Sequence, residues 1–310
     1  MTTQSAFGAQ AYVVTGPTSG IGLRTALALS KRGAVVLVGR DSRRLRVVQE
    51  KIASAGRKAF CVVCDLSDPA SVRRASADII ALNLSIAGLI NNAGMMQMHP
   101  TRNALGWDMS FATNHLGPFA LTEALVAHLP DGAHVVFLAS AVENPEHKPA
   151  KAFGFRGGRY ISARASARGE WAPGGSNVPG ADAYATSKQT ILAAALAFAR
   201  ETPRLRFSAV EPGVNPSTAL GRDANAFVRL LSKYIMPLMV PLFVPFIKVL
   251  STPKRAARVI TNVVIDTSGQ TGVYFDQSGE PMLGSELVRD PGFQDRVVAE
   301  TREFLSLVAK

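Results

Sequence analysis

The chain has 310 residues, of which 47% are hydrophobic and 18% charged, so it can bury a large core and is predicted to form one α/β domain over residues 1–310. Its net charge of +11 raises the question of a nucleic-acid partner. No helix-turn-helix pattern or aromatic ladder accompanies the basic residues, and no nucleic-acid partner is expected. Residues 1–10 lack the basic and apolar regions of a secretory signal or membrane anchor, which favours a cytoplasmic location.

The first predicted element is a short apolar strand over residues 11–15, followed by a glycine-rich loop and then by a helical pattern from Leu23 to Leu29. Strand, glycine loop and helix stand in the order that a dinucleotide site requires. Glycine lets the backbone approach a pyrophosphate, and the N–H groups at the helix start carry the positive end of the helix dipole toward it. A glycine-rich turn without a ligand is the alternative. The loop residues of interest are Gly16, Ser19, Gly20, Ile21 and Gly22.

The second predicted strand, residues 34–38, ends in Gly39-Arg40-Asp41. In a dinucleotide fold an acid at this place accepts the ribose 2′-hydroxyl, whereas an arginine accommodates a 2′-phosphate. Arg40 as the main contact, with Arg44 or Ser19 as helpers, therefore favours NADPH over NADH. Asp41 is assigned instead to capping a helix that begins near Arg43.

Residues 59–64 and 87–90 predict the third and fourth strands, which end in Asp65-Leu66 and in Asn91-Asn92-Ala93-Gly94. A helix is predicted between them, from Pro69 to about Leu82. Strands and helices alternating at this rhythm predict a parallel sheet with helices on both faces, and a ligand at the carboxyl ends of the strands.

The only two cysteines, Cys61 and Cys64, form a C-x-x-C pattern inside the third strand. Residues three apart in a strand point to opposite faces, and no second Cys/His pair completes a metal site. We expect two inert thiols and no metal site.

The middle of the chain predicts a long helix over residues 107–129 and a fifth strand over residues 133–139, after which comes Ser140. Asn114 is a polar residue among apolar neighbours of the long helix, and such a residue calls for a hydrogen-bond partner. A hydroxyl at the position of Ser140 is able to hold a carbonyl oxygen, although serine at a strand end is common.

A helical pattern that begins at Ala183 places Tyr184 and Lys188 one turn apart on the same face. A free phenol has a pKa of about 10, and an ammonium beside it favours the phenolate, which suits an acid or base at neutral pH. The pair alone is a weak signal, because a half-exposed tyrosine near a solvated lysine is common.

In their order along the chain, these motifs resemble those of the short-chain dehydrogenase/reductase family over roughly residues 10–280. The motifs are Thr15-Gly16-x-x-x-Gly20-Ile21-Gly22, Asp65-Leu66, Asn91-Asn92-Ala93-Gly94, Asn114, Ser140, Tyr184-x-x-x-Lys188 and Pro212-Gly213. The resemblance implies a single Rossmann-type, doubly wound domain with a mostly parallel sheet of seven strands. It also implies NAD(P)(H) as cofactor and hydride transfer at the nicotinamide.

By position, Tyr184 resembles the family's acid/base and Ser140 the residue that orients the substrate oxygen. Lys188 resembles the residue that depresses the tyrosine pKa and holds the nicotinamide ribose, and Asn114 the one that positions a relay water. The other cofactor contacts that the resemblance implies are Asp65 and Leu66 at the adenine, Asn92, Ala93 and Gly94 at the adenosine ribose, Pro212, Gly213 and Val214 at the nicotinamide, and Ser217 or Thr218 at the carboxamide.

Two segments depart from the family pattern or extend it. An insertion between Ser140 and Tyr184, about residues 145–180, is rich in glycine and predicts an irregular flap beside the site. Its basic run from Lys151 to Arg168 is read as a solvated loop, with contact to an anionic group as the alternative. Because such an insert can block subunit packing, monomer and homodimer both stay open.

Residues 219–250 are expected to form the substrate lid, and residues 234–250 are the most apolar stretch of the chain. Three prolines interrupt that stretch, which argues against a transmembrane helix. The segment resembles that of the retinol-dehydrogenase-like and protochlorophyllide-reductase-like branch, which implies a bulky lipophilic substrate. Peripheral membrane contact is the second reading and core packing the third.

These observations predict an NADPH-dependent carbonyl reductase or alcohol dehydrogenase with Tyr184 as acid/base. Reduction of an activated C=C bond is one alternative, because it can use the same tyrosine and lysine. An NADPH-sensing interaction protein without turnover is the other, although a sensor has no need of a proton-delivery pair.

Overall fold

The computed structural model describes residues 10–213 and 251–308, which form a single Rossmann-like α/β domain. Its centre is one sheet with the strand order β3-β2-β1-β4-β5-β6-β7-β8. The strands are β1 Ala11–Thr15, β2 Ala34–Gly39, β3 Ala59–Val63, β4 Ile86–Asn91, β5 His134–Leu138, β6 Arg206–Val210, β7 Val273–Phe275 and β8 Pro281–Met282. The order reverses at β1, where β4 returns to the other side, and such a reversal opens a crevice at the carboxyl ends of the strands.

The first seven strands are parallel, and the central ones are apolar along their whole length because helices cover both faces. Every residue of β1 and of β5 is buried. The prediction of seven strands was wrong by one: β8 pairs antiparallel with β7 through Tyr274↔Met282 and Phe275↔Pro281. A two-residue strand shows no alternation in the sequence, so its pairing is visible only in three dimensions.

The helices pack in two layers against the sheet. One core contains Phe119, Phe137 and Phe198, and the core on the opposite face contains Leu37 and Ile260. The helices are α1 Gly20–Leu29, α2 Ser42–Ala53, α3 Pro69–Ala81, α4 Met109–Phe111, α5 Gly117–Val126, α6 Lys148–Ala152, α7 Ala163–Ala167, α8 Ala181–Glu201, α9 Pro253–Ile265, α10 Glu286–Arg289 and α11 Pro291–Val308.

The single helix predicted over residues 107–129 is three pieces in the structure. A π-helical turn, Ala112–Leu116, separates α4 from α5. A π turn contains one more residue than an α turn and is frequent at functional sites. Asn114 lies inside this turn, so the extra residue occurs where the polar side chain leaves the helical pattern.

The insert of residues 145–180 carries α6 and α7 and is attached to the last helix. The hydroxyl of Tyr160 donates to Glu300 Oε2 at 2.7 Å, and the backbone N–H of Ala163 donates to the same oxygen at 3.2 Å. At the end of the insert Gly180 has φ 72°, and a Cβ there would lie 1.7 Å from the carbonyl oxygen of Gln97. Only glycine fits at this entry to α8.

Residues 219–250, which were predicted to form a substrate lid, lie outside the described residues, as do Val214, Ser217 and Thr218. Among the helices that the structure does describe, none combines the length and the apolar character needed to cross a membrane. Both thiols of the C-x-x-C pattern are free, and burial raises the pKa of Cys64 to about 12.

Candidate active site

The glycine loop after β1 has the shape of a cradle for a phosphate group. Gly16 and Gly20 adopt positive φ angles of 66° and 55°, which favour glycine. A Cβ on Gly22 would lie 2.3 Å from Asn92 Nδ2 and equally close to the carbonyl oxygen of Gly16. Helix α1 begins at Gly20, and the hydroxyl of Ser19 makes no capping hydrogen bond. The N–H groups in the first turn of α1 are therefore free of a side-chain cap at the place where this loop ends.

The loop is tied to the end of β4 by a network that centres on Thr15. Its hydroxyl oxygen accepts hydrogen bonds from the backbone N–H groups of Asn92 at 3.0 Å and Ala93 at 2.9 Å. The Asn92 amide donates to the carbonyl of Thr15 at 2.8 Å and to that of Gly16 at 3.3 Å. Thr15 was absent from the predicted site residues, although a buried threonine directly before a glycine loop was a signal that it supports the loop.

The end of β2 presents Arg40 and Arg44, both exposed, on the side of the glycine loop. Asp41 caps α2 as predicted: its Oδ1 accepts from the N–H groups of Arg43 at 3.0 Å and Arg44 at 3.1 Å. These backbone hydrogen bonds lower the pKa of Asp41, and the one from Arg44 has the largest effect. They also hold the carboxylate at the helix start. Asp41 Oδ2 also forms an ion pair with Arg44 Nε at 3.4 Å, so the capping acid and Arg44 are engaged with each other.

Asp65 and Leu66 both follow β3, but Asp65 accepts hydrogen bonds in the loop whereas Leu66 packs in the core. Asp65 Oδ1 accepts hydrogen bonds from the backbone N–H of Ser67 at 2.9 Å and from its hydroxyl at 2.7 Å. Leu66 is buried against α5, where a Cβ on Gly117 would lie 2.1 Å from the Leu66 carbonyl oxygen. The side chain of Leu66 therefore belongs to the core.

Asn114 has the partners that its position in an apolar helix called for. Its Oδ1 accepts from the N–H of Met95 at 2.8 Å, and its Nδ2 donates to the carbonyl of Met95 at 2.8 Å and to Ser187 Oγ at 3.0 Å. A Cβ on Gly94 would lie 3.4 Å from Asn114 Oδ1 and 3.6 Å from Lys188 Nζ. Asn114 thus joins the strand end after β4 to the helix that carries Lys188.

Tyr184 and Lys188 lie in the first two turns of α8, near Ser140 at the end of β5. The ammonium of Lys188 lies 5.6 Å from the centroid of the Tyr184 ring and donates to the carbonyl of Leu138 at 2.7 Å. Burial lowers the pKa of Lys188 to about 8, against the opposing effect of the carboxylate of Glu211.

The surroundings of Tyr184 act on its pKa in a different way from the one expected of Lys188. Burial, and after it the charge of Glu211, raises the pKa of Tyr184. A side-chain hydrogen bond with Ser140, rather than the ammonium of Lys188, acts in the lowering direction. The reason is geometric, because Lys188 points its ammonium at the carbonyl of Leu138 instead of at the phenolic oxygen.

The end of β6 brings Glu211, Pro212 and Gly213 to the same side of the sheet. Gly213 has φ 74°, and its N–H donates to Glu211 Oε1 at 2.8 Å. Glu211 was missed at the level of sequence, although an acid at the carboxyl end of a buried strand is unusual enough to mark a site. On the opposite wall the Phe155 ring of the insert lies 6.4 Å from that of Tyr184.

The structure therefore brings together residues from six segments of the chain at the carboxyl ends of the strands. They are the glycine loop, the strand ends at Asn92–Gly94 and Ser140, the π turn at Asn114, the pair Tyr184 and Lys188, and the loop at Pro212 and Gly213. Among the residues described, no three His, Cys, Asp or Glu side chains are grouped as metal ligands.

Known dehydrogenases and reductases are similar to this chain. The family model for short chain dehydrogenase matches residues 10–150. Human retinol dehydrogenase 11 is 37% identical over 124 residues, 39% of this chain and 39% of that protein. The chain thus spans about two fifths of the length of that relative. A Streptomyces protein named provisionally as a daunorubicin C-13 ketoreductase is 31% identical over 216 residues, 69% of this chain and 68% of that protein.

Solved structures share the fold. An uncharacterised protein of Mycobacterium paratuberculosis has a TM-score of 0.69 at 24% identity and covers 97% of this chain and 94% of its own. A blue fluorescent protein from a metagenomic library, solved with NADPH, has a TM-score of 0.61 at 20% identity, over 89% of this chain and 98% of its own. The match at 31% identity over two thirds of the Streptomyces relative establishes that the chain belongs to the short-chain dehydrogenase/reductase family.

Proposed function

We propose that the protein is an NADPH-dependent oxidoreductase that transfers hydride between the nicotinamide and the carbonyl or alcohol carbon of a bulky lipophilic substrate. The observation that carries the proposal is the convergence of Ser140, Tyr184 and Lys188 beside the glycine loop. A phenol, a hydroxyl and an ammonium at one strand edge are the groups that polarise a carbonyl and deliver a proton to its oxygen.

The described residues fit a dinucleotide. The absence of Cβ atoms at Gly16, Gly20 and Gly22 leaves the loop backbone open to a pyrophosphate, and a side chain at Gly22 would collide with Asn92. When bound, the dinucleotide supplies or accepts the hydride at its nicotinamide ring. Pro212 and Gly213, with Val214 beyond them, would lie along that ring, Ser217 or Thr218 would bind its carboxamide, and Lys188 would hold the adjoining ribose.

In the direction of reduction, Tyr184 donates its phenolic proton to the substrate oxygen while Ser140 holds that oxygen in place. Tyr184 is protonated at neutral pH, the form that a proton donor needs, because a phenol has an ordinary pKa of about 10 and burial raises that of Tyr184 further. The side-chain hydrogen bond with Ser140 acts in the direction that favours the phenolate, which forms as the proton leaves. Asn114, by holding the backbone at Met95 and the hydroxyl of Ser187, keeps the path to the lysine open for a relay water.

NADPH is preferred in this proposal because Arg40 is exposed directly after β2, where a 2′-phosphate would sit, and Arg44 is exposed in the first turn of α2. The structure of the metagenomic blue fluorescent protein contains NADPH, and one of a short chain dehydrogenase from Burkholderia cenocepacia contains NADP. Both share the fold, which agrees with this choice of cofactor.

A lipophilic substrate is supported by three observations. Phe155 provides an aromatic wall beside Tyr184, residues 234–250 are strongly apolar, and two of the relatives are named for retinol and for daunorubicin. An apolar pocket with few polar groups at the reacting atom is typical of sites for such compounds.

The test is turnover of NADPH with a panel of aromatic and polycyclic ketones, aldehydes and enones. The proposal expects carbonyl reduction. Reduction of enones alone would favour the C=C alternative, and NADPH binding without turnover of any compound would favour a sensor.

The variant Tyr184→Phe removes the proposed acid and keeps the ring. We expect kcat to fall at least about a hundredfold while the Kd for NADPH stays nearly unchanged, because the hydroxyl acts on the transition state. Tyr12→Phe, at the opposite end of the sheet, is the matched control. Equal activity in the Tyr184 variant would rule out the phenol as proton donor.

A further inference from the structure

Glu211 is a buried acid that stands directly after β6, between the ends of β5 and β7. It is only 8% exposed. Its Oε2 accepts a hydrogen bond from the backbone N–H of Ala141, and its Oε1 accepts one from the N–H of Gly213 at 2.8 Å. Its own N–H donates to the carbonyl of Phe275 at 2.8 Å. The side chain therefore joins the residue after Ser140 to the loop that follows β6.

At neutral pH a glutamate side chain carries two oxygens, and both accept hydrogen bonds. No other side chain of this length has two such acceptors. Glutamine would present an NH₂ group to one of the two N–H donors and leave that donor without an acceptor. An unsatisfied buried donor costs about 1–3 kcal/mol. The two hydrogen bonds thus explain why an acid, rather than an amide, occupies this position.

The charge of Glu211 also acts on the ionisable groups that face it. On α8 it raises the pKa values of both Tyr184 and Lys188, and on β7 it raises that of Tyr274. Tyr274 has a buried hydroxyl that makes no hydrogen bond within the described part of the chain. The other acid facing Tyr274 is Glu143, after β5, which accepts from the Ser285 hydroxyl at 2.7 Å and is 0% exposed.

We propose that Glu211 is a positioning residue, which fixes Ser140 relative to the nicotinamide loop and directs a buried negative charge at Tyr184 and Lys188. The inference rests on the proposed function, because it concerns the reactive geometry of that site. Ser140 takes its place from the backbone at Ala141, and Gly213 begins the loop expected against the nicotinamide. Glu211 therefore sets the distance between the group that holds the substrate oxygen and the group that holds the reacting ring.

The experiment is an NMR titration of the cofactor-free full chain labelled with ¹³C at the lysine Cε, with the Lys188 signal identified by its loss in Lys188→Arg. In the wild type we expect a midpoint of about 8. In Glu211→Gln the midpoint should move to lower pH, because the charge that stabilises the ammonium is gone. The kcat for carbonyl reduction at neutral pH should fall about tenfold, because one N–H loses its acceptor.

The variant Glu211→Asp distinguishes the effect of the carboxylate charge from the effect of the side-chain length. It keeps the carboxylate, so the Lys188 midpoint should stay close to that of the wild type, whereas kcat should fall because the shorter side chain does not span both N–H groups. Glu280→Gln removes an exposed carboxylate of the neighbouring hairpin and is the matched control, with neither value changed.

An unchanged Lys188 midpoint in Glu211→Gln would overturn the electrostatic part of the proposal, and full kcat in Glu211→Asp would overturn the positioning part. If Glu211→Gln does not fold, the kcat of Glu211→Asp still tests whether Glu211 positions the site. A wild type that turns over no carbonyl would contradict the proposed function instead, while the NMR midpoint continues to test Glu211.

Discussion

Lys188 and Tyr184 respond to burial in opposite senses, and both responses favour the neutral side chain. Burial lowers the pKa of the ammonium to about 8 and raises that of the phenol. The sequence predicted that these two residues lie one turn apart, which the structure confirms. It did not predict where the ammonium points, because the carbonyl of Leu138 that accepts from it lies 50 residues away in the chain.

The pKa of Lys188 leads to a prediction for the pH dependence of carbonyl reduction. A buried lysine is charged below its folded-state pKa, so the ammonium is present at pH 7 and lost as the pH rises through about 8. We expect kcat to be level below that value and to fall above it, measured with NADPH and a saturating ketone. In Lys188→Arg, where the guanidinium stays charged, the decline should move to higher pH. A wild-type profile that stays level up to pH 10 would contradict this role for the ammonium.

Arg40 leads to a prediction for cofactor choice. Replacing it by aspartate removes the cation at the end of β2 and adds an acceptor for a ribose hydroxyl, so Arg40→Asp should raise the KM for NADPH and lower that for NADH. Arg46→Asp, an equal change of charge at an exposed position of α2, is the control and should leave the ratio of kcat/KM values unchanged. An unchanged ratio in Arg40→Asp would remove Arg40 from the proposed phosphate site.

At the scale of the elements, the strands were predictable because parallel strands covered on both faces are apolar throughout. The helix around Asn114 was predicted only in part. The apolar pattern predicts that a helix exists here. The polarity of Asn114 predicts that its side chain has hydrogen-bond partners. The π turn does not follow, because it depends on Met95 and Ser187, which are 19 and 73 residues away in the chain. The two-residue β8 was missed for a related reason, since its only partner among the described strands is β7.

The π turn leads to a prediction for stability. Asn114→Ala removes three hydrogen bonds and leaves the backbone N–H and carbonyl of Met95 without these partners, so the free energy of unfolding should fall by about 1–3 kcal/mol. Thr113→Val is the control, because the buried hydroxyl of Thr113 makes no hydrogen bond among the described residues. Urea unfolding measures both variants. A similar loss in the two would show that the turn itself, rather than the Asn114 contacts, determines the stability.

At the scale of the whole molecule, the insert and the last helix form one unit against α8. The sequence predicted an irregular flap at residues 145–180, and the positive φ angles at Gly154, Gly157, Gly169 and Gly174 agree with its many turns. Its attachment was not predictable, because Tyr160 and Glu300 are 140 residues apart in the chain. The basic run includes Lys151 and Arg168, which pair with Glu146 and Glu170 just outside it.

This attachment leads to a prediction for proteolysis. Glu300→Ala leaves the buried hydroxyl of Tyr160 and the N–H of Ala163 without their acceptor, so the insert should open more often. Limited trypsin digestion should cut within residues 145–180 faster than in the wild type, at the exposed basic residues. Glu303→Ala, at an exposed position one turn further along α11, is the control. Equal cutting rates in all three proteins would show that Glu300 does not hold the insert.

The packing of α11 on α8 affects how the protein acquires its shape during synthesis. Phe293, Val297 and Val298 share a core with Ile191 and Ala195 of the helix that carries the reactive phenol and amine. Until the ribosome has produced residues 291–308, that side of α8 remains uncovered and prone to stick to other nascent chains. We therefore expect a chaperone that shields apolar helices to help this protein most after the strands of the sheet have been synthesised and before residues 291–308 have.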